Sequence, residues 1–232
     1  MINSVSNALA AALIAAALFA AARVSAADPA PAPTLRVGDR WVYNVTSGIG
    51  LTKKTYQETR EVAAVDANGI KVRVTGKTAD GKDFTRVDDL ASPGELRYGA
   101  PCFDEVYRFQ APLQRVTFPI APGERSSKWV DVVAEPSGTK GQFNYYFHTL
   151  NWDKQTVPAG NFDAIRVDVL MMLDDATAFR NATTCNFIYW YSPAVKNTVR
   201  ERRTAMYTTH LSPTETEVLN ANYELASFTP GK

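Results

Sequence analysis

Histidine and cysteine are nearly missing from this chain. Among its 232 residues there are two His and two Cys, at His148, His210, Cys102 and Cys185. A zinc site needs three or four ligands drawn from His, Cys or carboxylates, so if the cysteines are bonded to each other the supply runs out. Neither a metal nor a cofactor is expected. The H-E-x-x-H, G-x-S-x-G, phosphate-loop and S-x-x-K patterns are absent too. There is no surplus of either charge sign: the formal net charge is +1. A dedicated nucleic-acid binder normally has a basic face, so no nucleic-acid partner is expected. Helical periodicity is also scarce. After the N-terminal apolar run, no stretch of about 12 residues follows a clean 3.6 repeat. With 45% hydrophobic and 21% charged residues, the composition fits a globular protein and excludes collagen, a disordered tail or a polytopic membrane protein.

The apolar run Ala8–Ala22 is about 15 residues long, short of the roughly 20 that span a bilayer. Val24-Ser25-Ala26 follows, a small-residue cleavage pattern. Together they read as a secretory signal, residues 1–26, cut after Ala26. No Lys or Arg precedes the run, which is unusual for such a signal. No Cys lies near the cut, so a lipoprotein attachment site is not expected. The mature chain is read as periplasmic, with no membrane span. Residues 27–34 (ADPAPAPT) alternate Pro and Ala; this composition predicts an extended leader that does not join a sheet. Residues 35–232 read as one domain, long enough for a substantial core. In an oxidising compartment two cysteines alone suggest one disulfide, Cys102–Cys185; two free buried thiols are the alternative.

The mature chain alternates with period two. Trp41, Tyr43 and Val45 share a face, as do Ile70, Val72 and Val74. So do Phe143, Tyr145 and Phe147, then Ile165, Val167, Val169, Met171 and Leu173, and finally Leu219, Ala221, Tyr223 and Leu225. One apolar and one polar face is the pattern of antiparallel sheets. Asn68-Gly69 predicts a hairpin with positive φ at both residues. Ala79-Asp80-Gly81-Lys82, Pro136-Ser137-Gly138 and Pro158-Ala159-Gly160-Asn161 predict three further turns. Residues 90–125 hold five prolines, which predicts loops and short edge strands, with at most a turn of helix near 100–107. The fold expected is all-β: an antiparallel meander curved into an open half barrel or a sandwich.

Three segments read together: Val37-Gly38-Asp39-Arg40-Trp41-Val42-Tyr43, Val157-Pro158-Ala159-Gly160-Asn161-Phe162-Asp163-Ala164, and Tyr189-Trp190-Tyr191-Ser192-Pro193 followed by Val199-Arg200. They resemble bacterial envelope proteins of unknown function that open with G-D-x-W-x-Y and carry a V-P-A-G-[NT]-F-[DE]-A hairpin and a W-Y-[AS]-P strand. The resemblance implies a curved antiparallel sheet, distantly similar to the half barrels of lipoprotein carriers of the LolA/LolB type. It brings no catalytic residue. Where that pattern has Gly shortly after W-Y-[AS]-P, this chain has Lys196. The residues also have a local logic. Pro158 fixes φ and Gly160 can take positive φ, so the chain reverses there.

Several side chains invite a chemical role. His148 falls on the polar face of its strand with Asp153 nearby, and a His–Asp pair can act as a general base; a solvated surface His fits the same pattern. His210 reads as a turn residue. Asp88-Asp89 and Asp174-Asp175 lack the spacing of a calcium loop. Arg200, Arg202 and Arg203 form a short basic stretch, with Arg200 and Arg202 on one face, as an exposed edge strand would carry. Phe143, Tyr145, Phe147, Met171 and Trp190 are the candidate binding residues: lining a concave sheet, they would hold an apolar small molecule or lipid. A filled core needs the same residues. The function expected is therefore a non-catalytic exported protein with a binding or envelope-assembly role. The alternatives are a hydrolase or isomerase using His148 with a carboxylate, and a structural partner of another envelope protein.

Overall fold

The structure, a computed structural model, describes residues 29–49, 52–78, 81–103, 105–173, 183–209 and 212–232. Its strands are β1 (Arg40–Ile49), β2 (Lys54–Asp66), β3 (Gly69–Lys77), β4 (Asp83–Ser92), β5 (Glu95–Gly99) and β6 (Val106–Gln114). They continue as β7 (Arg125–Glu135), β8 (Lys140–Val157), β9 (Gly160–Leu173), β10 (Thr183–Ser192), β11 (Asn197–Thr209) and β12 (Ser212–Thr229). Among the described residues the one helical element is a 3-10 turn at Pro193–Val195.

Each strand pairs antiparallel with its neighbours in the chain, and β1 also pairs with β12, from Arg40↔Thr229 to Ile49↔Leu219. The meander therefore closes into a barrel. This corrects the expectation of an open half barrel or sandwich. The physical reason lies in the end strands. β1 and β12 run 10 and 18 residues, and in an open sheet both would present long unpaired edges; pairing them satisfies both rows of backbone groups. The edge that Arg200–Arg203 was expected to protect is not there either: β11 is paired on both sides, with β10 and β12.

Three of the four predicted turns fall between β2 and β3, β7 and β8, and β8 and β9; of the fourth, expected between β3 and β4, Ala79 and Asp80 lie outside the described residues. In the first, Asp66 pairs with Gly69, and the Asn68 backbone N–H donates to the Asp66 carboxylate at 2.7 Å. Only Gly69 takes positive φ there (128°), not Asn68. The proline-rich stretch carries the short β5 and β6, and no helix forms among the described residues near 100–107. Among the described leader residues Ala30 is buried and exchanges two backbone hydrogen bonds with Ile120, an isolated bridge outside the strands of the barrel.

Alternation decides what lies inside. Ile165, Val167, Val169, Met171 and Leu173 are all buried, as are Trp41, Tyr43, Val45, Phe143, Tyr145 and Phe147. The polar partners in these strands face out; Lys71, Arg73, Asn144 and His148 are partly or fully exposed. A barrel that crosses a membrane has the reverse arrangement, an apolar band outside and a polar lumen. Among the described residues no helix is long and apolar enough to cross one. Eight strands enclose about the volume that side chains can fill, and twelve enclose more. Here the additional interior holds large rings, long guanidinium side chains and a cavity.

Candidate functional site

The interior is not wholly apolar. On β2, Glu58 and Arg60 share the inward parity of Val62; on β11, Glu201 and Arg203 share that of Ala205. Arg60 Nε donates to Glu58 Oε1 at 2.7 Å, and Arg203 Nε to Glu201 Oε1 at 2.7 Å. Arg60 Nη2 lies 3.6 Å from Glu201 Oε2. That last contact spans the lumen, because β1 and β12 separate β2 from β11 in the sheet. Aromatic faces complete the cage: the Arg60 guanidinium sits 4.6 Å from the Tyr43 ring centre, and that of Arg203 4.6 Å from Tyr223. Arg203 Nη1 also donates to the Cys102 carbonyl at 2.8 Å.

The electrostatics follow from burial and pairing. Burial by itself raises the Glu201 carboxyl, but the Arg203 and Arg60 guanidiniums outweigh it and hold it at about 2. Burial lowers the Arg203 guanidinium, but the Glu201 carboxylate outweighs it and the net shift is upward. Desolvation pushes the Tyr43 and Tyr145 phenols up to about 12 and those of Tyr189, Tyr191 and Tyr223 further up. At neutral pH the cage is therefore a set of fixed charges among neutral phenols.

Beside it lies a cavity of about 140 Å³. Its apolar wall includes Leu35, Leu90, Leu96, Val116 and Phe118. Its polar wall carries five cations, Arg60, Arg86, Arg115, Lys196 and Arg203, and one carboxylate, Asp88. Tyr191 closes one side, 5% exposed, with its hydroxyl buried and without a hydrogen-bond partner. A buried unpartnered hydroxyl on a residue that lines a cavity leaves a donor free for a polar group. Pro33 of the leader and Leu35, just after it, reach this site.

The barrel is clasped near the same end. Asp39, fully buried, accepts the Arg36 and Gly231 backbone N–H groups at 2.8 Å each and the Lys196 ammonium at 2.9 Å. Burial raises its carboxyl, and these three donors together bring it below the ordinary value. Trp41 Nε1 donates to the Val195 carbonyl at 2.7 Å, and the Tyr43 hydroxyl to that of Thr198 at 2.8 Å. Lys196 adopts the left-handed conformation, φ 58°, where glycine is usual. Its ammonium bond to Asp39 gives a reason for a side chain at that strained position. The Ser192 hydroxyl donates to the Asp163 carbonyl at 2.8 Å. Residues of all three segments singled out in the sequence thus meet in structural contacts around β1, β9 and the β10–β11 turn.

Phe143, Tyr145, Phe147 and Met171 come together in one packed core, and none of them lines the cavity. Trp190 alternates to the other face of β10, under the Arg202 guanidinium at 5.7 Å, and packs in a second core cluster with Trp41 and Val195. Cys102 and Cys185 form a disulfide. His148 is on the outer face, in register with Arg125 and Asp168, whereas Asp153 pairs with Ala164. Asp168 is already engaged by Arg166 at 2.7 and 2.9 Å. Asp88 pairs inward with Arg86 at 2.7 Å and Asp89 with Lys71 at 2.8 Å. Asp174-Asp175 and His210 lie outside the described residues. Among the described residues no three His, Cys, Asp or Glu side chains are grouped to hold a metal.

Sequence reasoning missed Glu58, Arg60, Arg86, Glu201 and Arg115 as interior residues, and it placed Arg203 on an exposed strand. A signal was present. Glu58/Arg60, Arg86/Asp88 and Glu201/Arg203 are opposite charges two apart in strands, and each pair shares parity with an apolar neighbour: Val62, Leu90 and Ala205. Arg166/Asp168 has the same spacing but opposes the apolar parity of Ile165, and it lies on the outer face.

No protein-family model matches this chain, and no curated protein matches it significantly. Solved structures do. A candidate exported protein with a YmcC-like fold from Bacteroides fragilis aligns with a TM-score of 0.50 at 13% identity, over 86% of this chain and 99% of that one. A candidate lipoprotein from Parabacteroides distasonis gives 0.49 at 14% identity, over 87% and 100%. The hypothetical lipoprotein YmcC from Escherichia coli gives 0.41 at 7% identity, over 83% and 85%. At such identities the likeness concerns the fold alone.

Proposed function

We propose that this protein is an exported, non-catalytic barrel that binds a small ligand in its interior cavity. The observation that carries the reading is the cavity itself: about 140 Å³, with one apolar wall, and lined by Tyr191, whose buried hydroxyl has no partner. An engineered apolar cavity of about 150 Å³ admits benzene, so the bound part should have about six to ten heavy atoms. A whole lipid does not fit that volume, so a lipid would be held by one end. Export is supported by the Ala8–Ala22 run with its small-residue cut, by a disulfide of the kind found in oxidising compartments, and by a structural neighbour described as exported. The non-catalytic reading is supported by the chemistry of the site. Glu201, held at about 2, is a poor base near neutral pH, and His148 is on the outer face and does not line the cavity.

Native mass spectrometry of the mature protein, purified from its own envelope without organic solvent, tests the reading. A retained small adduct, together with a rise in Tm when toluene or octanol is added, is expected. A bare mass and an unmoved Tm with both probes would overturn it.

A further inference from the structure

The cationic side of the cavity can be counted, and the count is uneven. Four of the five cations that line it have a carboxylate within ion-pair distance: Arg60 with Glu58, Arg86 with Asp88, Arg203 with Glu201, and Lys196 with Asp39. Arg115 has none among the described residues. Its backbone is held in place: the N–H donates to the Gly94 carbonyl at 2.7 Å, and its own carbonyl accepts the Tyr145 and Tyr189 hydroxyls at 3.2 and 2.9 Å. The guanidinium is thus presented from a fixed segment, next to Val116 and Phe118 of the apolar wall. Tyr191, which also lines the cavity and packs its ring against Phe118 at 5.5 Å, has a buried hydroxyl with a proton to donate and no acceptor.

We infer that the cavity takes a small amphipathic carboxylate, its charge on Arg115 and the Tyr191 hydroxyl and its apolar body against Leu90, Leu96 and Phe118. This rests on the cavity-binding reading and adds the head group. One surplus positive charge matches one negative charge; a doubly charged phosphate would leave one negative charge without a partner. A guanidinium offers a planar pair of N–H donors that fits the two oxygens of a carboxylate. The tyrosine hydroxyl supplies a third donor.

Isothermal titration calorimetry on the full mature protein, with octanoate and octanol as matched probes, tests this. Octanoate should bind at least tenfold tighter than octanol at low salt, and its advantage should shrink as salt rises. Arg115→Gln should remove that advantage while leaving octanol binding intact. Tyr191→Phe, which deletes only the hydroxyl, should weaken octanoate several-fold and serves if Arg115→Gln fails to fold. Equal binding of the two probes, or an octanoate affinity unchanged by both substitutions, would overturn the carboxylate inference and leave the cavity reading standing. Failure of both probes to bind would overturn both.

Discussion

Replacing Glu201 by Gln is the sharpest perturbation of the buried charge cage. Glu201 is 1% exposed and is the carboxylate shared by Arg203, at 2.7 Å, and Arg60, at 3.6 Å. Glutamine keeps the shape and one acceptor oxygen but removes the charge. Two guanidiniums then remain inside the barrel with Glu58 as their one nearby anion. Breaking a buried pair by removing one partner costs about 3–5 kcal/mol, because the other charge stays desolvated. A second route gives a similar figure. The Glu201 carboxyl lies at about 2 rather than its ordinary 4.5, and at about 1.4 kcal/mol per tenfold this corresponds to on the order of 3 kcal/mol. The sign is that of a depressed carboxyl. The stabilisation is complete above pH about 4.5 and is lost as pH falls toward 2. Urea denaturation should therefore show Glu201→Gln less stable than the parent by about 3–5 kcal/mol at pH 7, with the gap narrowing steadily below pH 4.5. The double variant Glu201→Leu/Arg203→Met, which removes both charges of the closest pair, should lose less than the two single changes added together. A loss at pH 7 below about 1 kcal/mol, or a gap that stays constant down to pH 3, would refute the reasoning.

Lys196→Gly relieves a left-handed backbone that costs a non-glycine residue about 1–2 kcal/mol, but it removes the ammonium from fully buried Asp39, a loss of about 1–3 kcal/mol. With two backbone donors still on Asp39, the net effect should be a destabilisation of about 1 kcal/mol by thermal or urea unfolding; a more stable variant would show that the clasp contributes nothing. Cys102→Ser/Cys185→Ser opens a cross-link between positions 83 apart. The chain-entropy relation gives a loss of about 4–5 kcal/mol, or a Tm lower by roughly 10–15 °C in a chain of this size. An unchanged Tm in the absence of reductant would contradict it.

Much of the strand pattern was legible because burial on one face leaves a period of two. The run from Ile165 to Leu173 puts five apolar side chains on one side, and all five are inside. Closure was not legible. It depends on the register of Trp41 against Phe228 and Val45 against Tyr223, contacts between the two ends of the chain that no local pattern encodes. Bulges obscured more. The register shifts between Trp190 and Tyr191, and again between Thr149 and Trp152, so parity counted across them goes astray. The candidate site was hidden for a different reason. Strand alternation assigns charged residues to solvent, and in most sheets that is right. Here a wide barrel must fill its lumen, and long Arg side chains neutralised by Glu and Asp fill it. Arg115 could not have been found this way, since it follows β6 in a loop, and only the tertiary structure brings it to the same cavity as Tyr191.

The most direct test of the central claim is a crystal structure of the mature protein, purified from its own envelope and never exposed to detergent or solvent, at a resolution that distinguishes waters from a ligand. Continuous density of about six to ten atoms beneath Leu35 and Phe118, with one end against Arg115 and Tyr191, is the predicted result. A lumen in which the Tyr191 hydroxyl and the Arg115 guanidinium meet only separate ordered waters, or in which the side chains have closed the space altogether, would contradict it.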